Sequence, residues 1–230
     1  GDPVDYNDFI RHGWTEGLFI TGNVIIFAFA AVGLLRFWKE MKRTFPGEPS
    51  KGFVPSVIET FIEIATHRNF NNCITNKPRA VSHFLVLFGF IGSMATAGLA
   101  LLWTVALGHH SPIDLPNLIK VLGTVSGLAM LIGLGILLTR RATDADKVGA
   151  NGYADKMFLY IIAIVAFTGL ILQFIRMAGL SHVAYITYFI HLVFVFFLLW
   201  YAPYSKFAHM FYRTLALIYV RSINRQPRRR

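Results

Sequence analysis

Three histidines occupy positions in or at the ends of long apolar runs, namely His83, His191 and His209. An ionisable side chain is costly at such positions and by default indicates function. Two neutral imidazoles on facing helices, one on each side of a porphyrin plane, are the ligands of a b-type haem in a helix bundle. The alternative for each is a buried imidazole bonded to a carbonyl or hydroxyl group.

The spacing of these histidines suggests how they could pair. His191 and His209 are 18 residues apart, so a continuous helix would place them on one face, about 27 Å apart, which suits two haems at two depths. Pro203 predicts a bend or fraying between them. His83 and His209 are expected at similar depth and are predicted to share one haem iron. Nearby basic residues would neutralise the haem propionates: Arg79, Lys206 and Arg213.

The other five histidines carry a weaker signal. His12, His109, His110 and His182 fall at one predicted membrane boundary, and His67 falls in a basic loop at the other. Solvated or headgroup-facing imidazoles are the expected reading at such positions.

The composition is that of a membrane protein. Of the 230 residues, 55% are hydrophobic and 15% charged, which lies outside the range of soluble domains. A single cysteine, Cys73, cannot build a disulfide framework or an iron–sulfur site. The net charge of +10 falls between and after apolar runs, which argues against a nucleic-acid-binding face.

The pattern predicts an all-α bundle of five transmembrane helices in one membrane domain, since a crossing needs about 20 apolar residues. The predicted spans are 17–38, 80–108, 118–139, 157–175 and 183–202. Nineteen of the 22 Lys and Arg residues lie in 36–79, 140–156 and 203–230, so the N-terminus is predicted outside and the C-terminus cytoplasmic. The three final arginines read as a basic tail.

The first inner loop predicts a short amphipathic helix over 54–67. Its apolar residues recur at helical spacing behind Ser56-x-x-Glu59, a candidate capping box. Two readings remain open for this helix. It either lies on the lipid headgroups or forms a docking surface for a partner protein.

The stretch from His191 to His209, with its internal Pro203-Tyr-Ser-Lys206 turn, resembles the last membrane helix of the nitrate reductase gamma subunit family. Together with the segment from Asn76 to His83, it most resembles the membrane subunit of the quinone-interacting membrane-bound oxidoreductase (Qmo) of sulfate reducers. The resemblance covers about residues 68–218 and implies five helices with haem b ligated by two histidines.

Two departures from that pattern affect the cofactor count. The nitrate reductase pattern has a second histidine ten residues after the first, where this chain has Ser93. Either the second haem, with His191 as iron ligand, is absent, or its sixth ligand comes from elsewhere, for instance Met94. Qmo-type subunits also carry an N-terminal iron–sulfur region, which one cysteine cannot supply; that region would be lost, processed off or encoded separately.

The resemblance implies a cytochrome b subunit in the cytoplasmic membrane of a prokaryote, serving anaerobic respiration. It would oxidise menaquinol or a similar quinol and pass electrons to cytoplasmic iron–sulfur and flavin subunits, with reverse flow chemically allowed. One rival is a transporter or channel, although the predicted spans contain no Asp or Glu. The other rival is a cofactor-free membrane anchor for a soluble enzyme.

A quinone site is predicted in the outer half of the membrane, near His191. Lys120 and Arg176 are the basic side chains beside a span but outside the inner loops and tail, and each could donate a hydrogen bond to a quinone oxygen. The alternative is that both snorkel to the outer headgroups. His191 would then be either a hydrogen-bond partner of quinone or a ligand of a second haem.

Overall fold

The computed structural model describes residues 6, 10, 12–48, 50–66, 77–109, 113, 116–143 and 152–223. All regular secondary structure within these ranges is helical. The helices are α1 (His12–Thr44), α2 (Phe53–Thr66), α3 (Lys77–Leu101), α4 (Leu118–Thr143), α5 (Tyr153–Met177), α6 (Ser181–Tyr201) and α7 (Lys206–Ser222). A π-helical turn, Leu102–Ala106, follows α3, and a 3₁₀ turn, Ala202–Tyr204, follows α6.

The predicted all-α class and the five spans are confirmed, and the chain is a multi-pass membrane protein. Five helical stretches are long and apolar enough to cross a membrane: Gly13–Thr44, Ala80–Ala106, Leu118–Thr143, Lys156–Met177 and Ser181–Tyr201. The first is longer than the predicted 17–38, because the helix continues through polar residues at both ends. Helix ends depend on capping and tertiary contacts that hydropathy does not report.

The chain forms two compact units. Unit 1 comprises Gly1–Leu18 and Pro78–Leu198, and unit 2 comprises Phe19–Lys77 and Leu199–Arg230. Unit 1 therefore holds α3, α4, α5 and most of α6, while unit 2 holds most of α1, together with α2 and α7.

Small residues bring α3 and α4 close together in unit 1. A Cβ added at Gly92 would lie 2.1 Å from the Ser126 hydroxyl, and one added at Gly133 would lie 2.9 Å from the Ser82 carbonyl oxygen. Because lipid is as apolar as leucine, membrane helices associate by this kind of close packing and not by the hydrophobic effect. The glycines therefore set the separation of α3 and α4.

The α4–α5 pair is antiparallel and forms most of the core of unit 1. Leu170 packs on Gly127, where an added Cβ would lie 3.0 Å from its Cγ. One turn further along, the Thr124 hydroxyl lies 3.0 Å from Gln173 Oε1. The buried apolar side chains of this pair are Met130, Leu134, Leu159, Ile162, Ala166, Leu170 and Leu172.

A glycine in the left-handed conformation ends α5. Gly179 has φ of 69°; its N–H donates to the Arg176 carbonyl, and the N–H of Leu180 donates to the Ile175 carbonyl. This is the Schellman arrangement, which satisfies the last carbonyl groups of a helix and favours glycine because the positive φ crowds a Cβ. It lets α6 begin at Ser181 after a very short turn.

Pro203 breaks the helix, as predicted. α6 ends at Tyr201, the 3₁₀ turn follows, and Ser205 is extended (φ −100°, ψ −176°) before α7 begins at Lys206. His191 and His209 therefore lie on two separate helices. The argument that one continuous helix would align them on a single face does not apply.

In unit 2, α2 forms where the amphipathic helix was predicted and packs on α7. The predicted capping box is wrong. α2 begins at Phe53, so Ser56 lies inside the helix and its hydroxyl donates to the Gly52 carbonyl. Glu59 instead receives a hydrogen bond from Lys51, which precedes the helix.

Candidate functional site

The three predicted ligand histidines, His83, His191 and His209, have different surroundings. His83 on α3 and His209 on α7 are exposed, and His191 on α6 is half-buried. His83 belongs to unit 1 and His209 to unit 2. The haem that His83 and His209 would share stays a prediction.

The surroundings of His191 define the state of its imidazole. Its Nδ1 lies 2.9 Å from Oγ1 of Thr168 on α5. The Thr168 hydroxyl also lies 2.6 Å from the Ile164 carbonyl oxygen, and two oxygens approach that closely only with a proton between them. Thr168 therefore donates its one proton to Ile164 and accepts a proton from Nδ1–H. The lone pair of His191 is left on Nε2.

A glycine makes room for this ring. A Cβ added at Gly169 would lie 3.1 Å from His191 Cε1, closer than ordinary van der Waals contact. The absence of a side chain at Gly169 lets the imidazole lie against the α5 backbone. Thr168 and Gly169 together fix both the tautomer and the position of the ring, as outer-shell partners do for functional histidines.

The contacts between helices give the relative depths within unit 1. The Gly92–Ser126 contact of α3 with α4 and the Gly127–Leu170 contact of α4 with α5 put Thr168 level with about residue 89 of α3. At 1.5 Å rise per residue, His83 then lies about 10 Å from the level of His191 in one direction and Ser93 about 5 Å in the other.

Within the described part of unit 1, no second histidine lies on α3 at the level of His191. The α3 positions level with it are Gly89 and Phe90, neither of which can ligate iron. Met94, the suggested sixth ligand, is 38% exposed and lies about 7 Å further along the axis by the same rise. The role of His191 as ligand of a second haem stays a prediction.

The two predicted quinone-site cations lie at one level. Thr124 of α4 and Gln173 of α5 are in contact. Lys120 precedes Thr124 by one turn, Arg176 follows Gln173 by one turn, and the helices are antiparallel. Lys120 and Arg176 therefore fall at the same end of unit 1, about 11 Å along the axis from the level of His191.

Gln173 is a site candidate that the sequence reasoning missed. It is buried, with 8% of its surface exposed, and it lies four residues after Gly169, so both are on nearly the same face of α5. Its amide is about 7 Å from the level of His191 by helix rise. A glutamine inside a long apolar run was the available signal.

Aromatic residues gather at the Arg176 end of unit 1. The Tyr6 ring stacks on Tyr188 at 4.4 Å and meets the edge of Tyr185 at 6.5 Å. Burial raises the pKa of the Tyr6 phenol, and the positive charge of Arg176 acts against that rise. Tyrosines of this kind are typical of the membrane–water interface.

The remaining predicted residues fall as follows. Arg213 is exposed on α7, one turn after His209. His182 is exposed near the start of α6, and His109 stacks on Trp103 at 4.1 Å beyond the π-helical turn. The side chains of Arg79, Lys206 and His12, and all of His67, His110 and the basic tail, lie outside the described residues.

Comparison with known proteins identifies the family. A protein-family model described as CitB, citrate utilization protein B, matches residues 2–230. The chain therefore belongs to the CitB family. No curated protein and no solved structure matches it significantly.

Proposed function

We propose that this CitB-family chain is a membrane cytochrome b subunit that transfers electrons between the quinone pool and soluble iron–sulfur and flavin subunits. The family description suggests that these partners serve citrate utilization. The observation that carries the proposal is the Thr168–His191 contact, which assigns the ring proton to Nδ1 and the lone pair to Nε2 of an imidazole inside an apolar bundle.

The proposed quinone site lies in unit 1 between Nε2 of His191 and the amide of Gln173. Oxidation of a quinol releases two electrons, which the haem would take up one at a time, and two protons. Nε2 accepts the proton of the hydroxyl group beside it while Nδ1–H keeps its bond to Thr168, and the second proton passes to water at the mouth of the site. The Gln173 amide donates a hydrogen bond to the other quinone oxygen. The resemblance to the nitrate reductase gamma and Qmo families supports quinone as the substrate.

Arg176 and Lys120 take different parts in this arrangement. The Cα–Cβ bonds of a helix tilt toward its N-terminus, so Arg176 leans toward the level of His191, whereas Lys120 leans away from it. Arg176 is therefore proposed at the mouth of the quinone site. Lys120 is proposed to snorkel to the headgroups, which leaves it the weaker of the two predicted quinone contacts.

Haem b is the proposed electron carrier, with His83 and His209 as its ligands and Arg79, Lys206 and Arg213 beside its propionates. When bound, the haem supplies one-electron redox chemistry between quinone and the partner subunits. The distribution of basic residues supports an outer N-terminus and puts His209 and the partner subunits on the cytoplasmic side. The proposed location is a prokaryotic cytoplasmic membrane.

A visible spectrum of the purified full-length chain tests the cofactor. After reduction with dithionite, a sharp b-type band is expected with about one haem per polypeptide, and His83→Ala or His209→Ala should abolish it. His182→Ala is the matched control, because that histidine is exposed at the start of α6. The absence of any haem band from folded protein would reject the cytochrome function.

Quinol-driven reduction tests the second half of the proposal. In liposomes, His191→Ala should lose haem reduction by a menaquinol analogue while dithionite still produces the full b-type band. His182→Ala should behave as wild type. If His191→Ala instead loses haem, His191 is an iron ligand, and if quinol still reduces the haem at the normal rate, the site lies elsewhere.

A further inference from the structure

The α2 helix turns its polar residues inward. Ser56 and Thr60 are fully buried, and Thr60 receives a hydrogen bond from Arg221 of α7 at 2.9 Å. Glu63 forms an ion pair with the same Arg221. The spacing of four and three residues puts Ser56, Thr60 and Glu63 on one stripe of α2. Arg221 of α7 bonds Thr60 and Glu63, and the Ser56 hydroxyl donates to the Gly52 carbonyl.

The opposite face of α2 is apolar and open. Each large side chain on it is more than half exposed. These residues are Val54, Ile58, Phe61 and Ile62, and at 100° per residue they lie about 125° or more from the centre of the polar stripe. Such an exposed patch indicates a binding surface and not a solvated one.

The length of α1 fixes the depth at which α2 begins. Nineteen residues without a charge separate Glu16 from Arg36, which is about 29 Å of helix and matches the hydrocarbon thickness of a bilayer. Trp38, half a turn beyond Arg36, meets the ring edges of Phe53 at 5.7 Å and Tyr219 at 5.2 Å. α2 therefore starts at the level of the lipid headgroups, where Trp and Tyr are enriched.

The charges around α2 favour an anionic surface. Arg36, Lys39 and Lys42 at the end of α1 are exposed. The nearby acidic residues of α2 are neutralised by Lys51 and Arg221, and Glu40 is paired with Arg43. The exposed charge beside the apolar face is thus mainly positive, with Glu48 as an opposing acid.

We propose that α2 is an interfacial helix whose apolar face inserts among lipid acyl chains while the basic end of α1 binds anionic phospholipid headgroups. Of the two interpretations of α2, the proposal favours a helix that binds lipid over a docking surface for a partner protein. It is independent of the proposed electron transfer. The Arg221 contacts hold α2 in this orientation, because rotating it would bury apolar side chains against Arg221 and expose the polar stripe to lipid.

Spin labels on the full-length chain in nanodiscs test the insertion. With Cys73→Ser as background, labels are attached at Ile58→Cys, Phe61→Cys and, in case one variant fails to fold, Val54→Cys. Phe29→Cys, which is 75% exposed within the first span, serves as the lipid reference, and Glu48→Cys as the water reference. Oxygen and nickel-chelate accessibilities report depth.

Labels at Ile58 and Phe61 are expected to match the lipid reference in preferring oxygen over the nickel chelate. If they match the water reference in nanodiscs without any other protein, the lipid proposal is wrong and a protein partner becomes the occupant. Haem content and quinol-driven reduction should stay at wild-type level in correctly folded labelled variants, so this outcome is separable from the proposed function.

The charge component has its own test. Raising the phosphatidylglycerol content of phosphatidylcholine nanodiscs should move the Ile58 label deeper, and the double substitution Lys39→Gln with Lys42→Gln should remove that shift. Lys156→Gln, which alters an exposed cation on α5, is the control and should keep it. Equal depth in neutral and anionic nanodiscs would reject the anionic preference.

Discussion

The imidazole of His191 on α6 and the hydroxyl of Thr168 on α5 are joined by a 2.9 Å hydrogen bond through Nδ1. Because the threonine proton is engaged by the Ile164 carbonyl at 2.6 Å, the histidine is the donor. The pair thus sets the tautomer of an imidazole inside a membrane span. His191 can therefore form a structural hydrogen bond to a neighbouring hydroxyl through Nδ1 and still have a functional role through Nε2.

Thr168→Val should impair quinol oxidation without loss of haem. Valine has the same shape but cannot accept the Nδ1 proton, so the tautomer and the ring position are no longer fixed, and outer-shell losses of this kind typically cost about 10–100-fold in activity. Thr168→Ser, which retains the hydroxyl, should keep most of the activity. Rates of quinol-driven haem reduction check this; equal rates for Val and Ser would show that the hydrogen bond has no part in the reaction.

Gly133→Ala should destabilise the bundle, and Gly135→Ala should not. The added Cβ at Gly133 meets the Ser82 carbonyl and the Leu85 Cβ, each at 2.9 Å, whereas Gly135 has open space around it. Overpacking of this kind costs about 1–3 kcal/mol. Thermal unfolding in detergent measures the stability of both variants. Similar melting temperatures for the two would contradict the close α3–α4 packing.

Arg221→Met should loosen α2 from α7. Removing the guanidinium leaves Glu63 and Thr60 without their partner, and for a half-buried pair we expect a loss of about 1–3 kcal/mol, between exposed and fully buried ion pairs. Combining it with Glu63→Met should recover part of the loss, because no charge is then left unpaired. Proteolysis of the α1–α2 loop and thermal unfolding report the effect; strictly additive losses would argue against the pair.

Glu59 should titrate below its ordinary range. The hydrogen bond from Lys51 lowers the pKa of this carboxyl, and burial acts against that lowering. The pair therefore contributes at pH values above the ordinary glutamate pKa and is lost as the pH falls through the lowered one. In Lys51→Met the pKa should rise, which carbon-13 NMR can follow, and an unchanged titration would show that the pair does not form in solution.

The five spans could be predicted from the sequence because a membrane crossing requires about 20 consecutive apolar residues, and that is a local property of the chain. The break at Pro203 was equally local, since proline cannot donate the helical hydrogen bond and its ring crowds the preceding turn. The capping box failed for the opposite reason. Ser56-x-x-Glu59 fits the pattern, but α2 starts three residues earlier, and its serine and glutamate bond to Gly52 and Lys51 instead.

The sequence alone was enough to identify the candidate histidines, because an ionisable side chain is rare in or beside a long apolar run. It did not reveal that His191 donates to Thr168, that Gly169 accommodates its ring, or that Gln173 lies little more than one turn from its level, because these depend on how α5 and α6 pack. Likewise, the amphipathic pattern of α2 left lipid and protein as occupants. Only the packing on α7 determined which face of α2 has its polar groups paired. Arg221 lies 158 residues beyond Glu63 in the chain, and the two meet only because the chain folds.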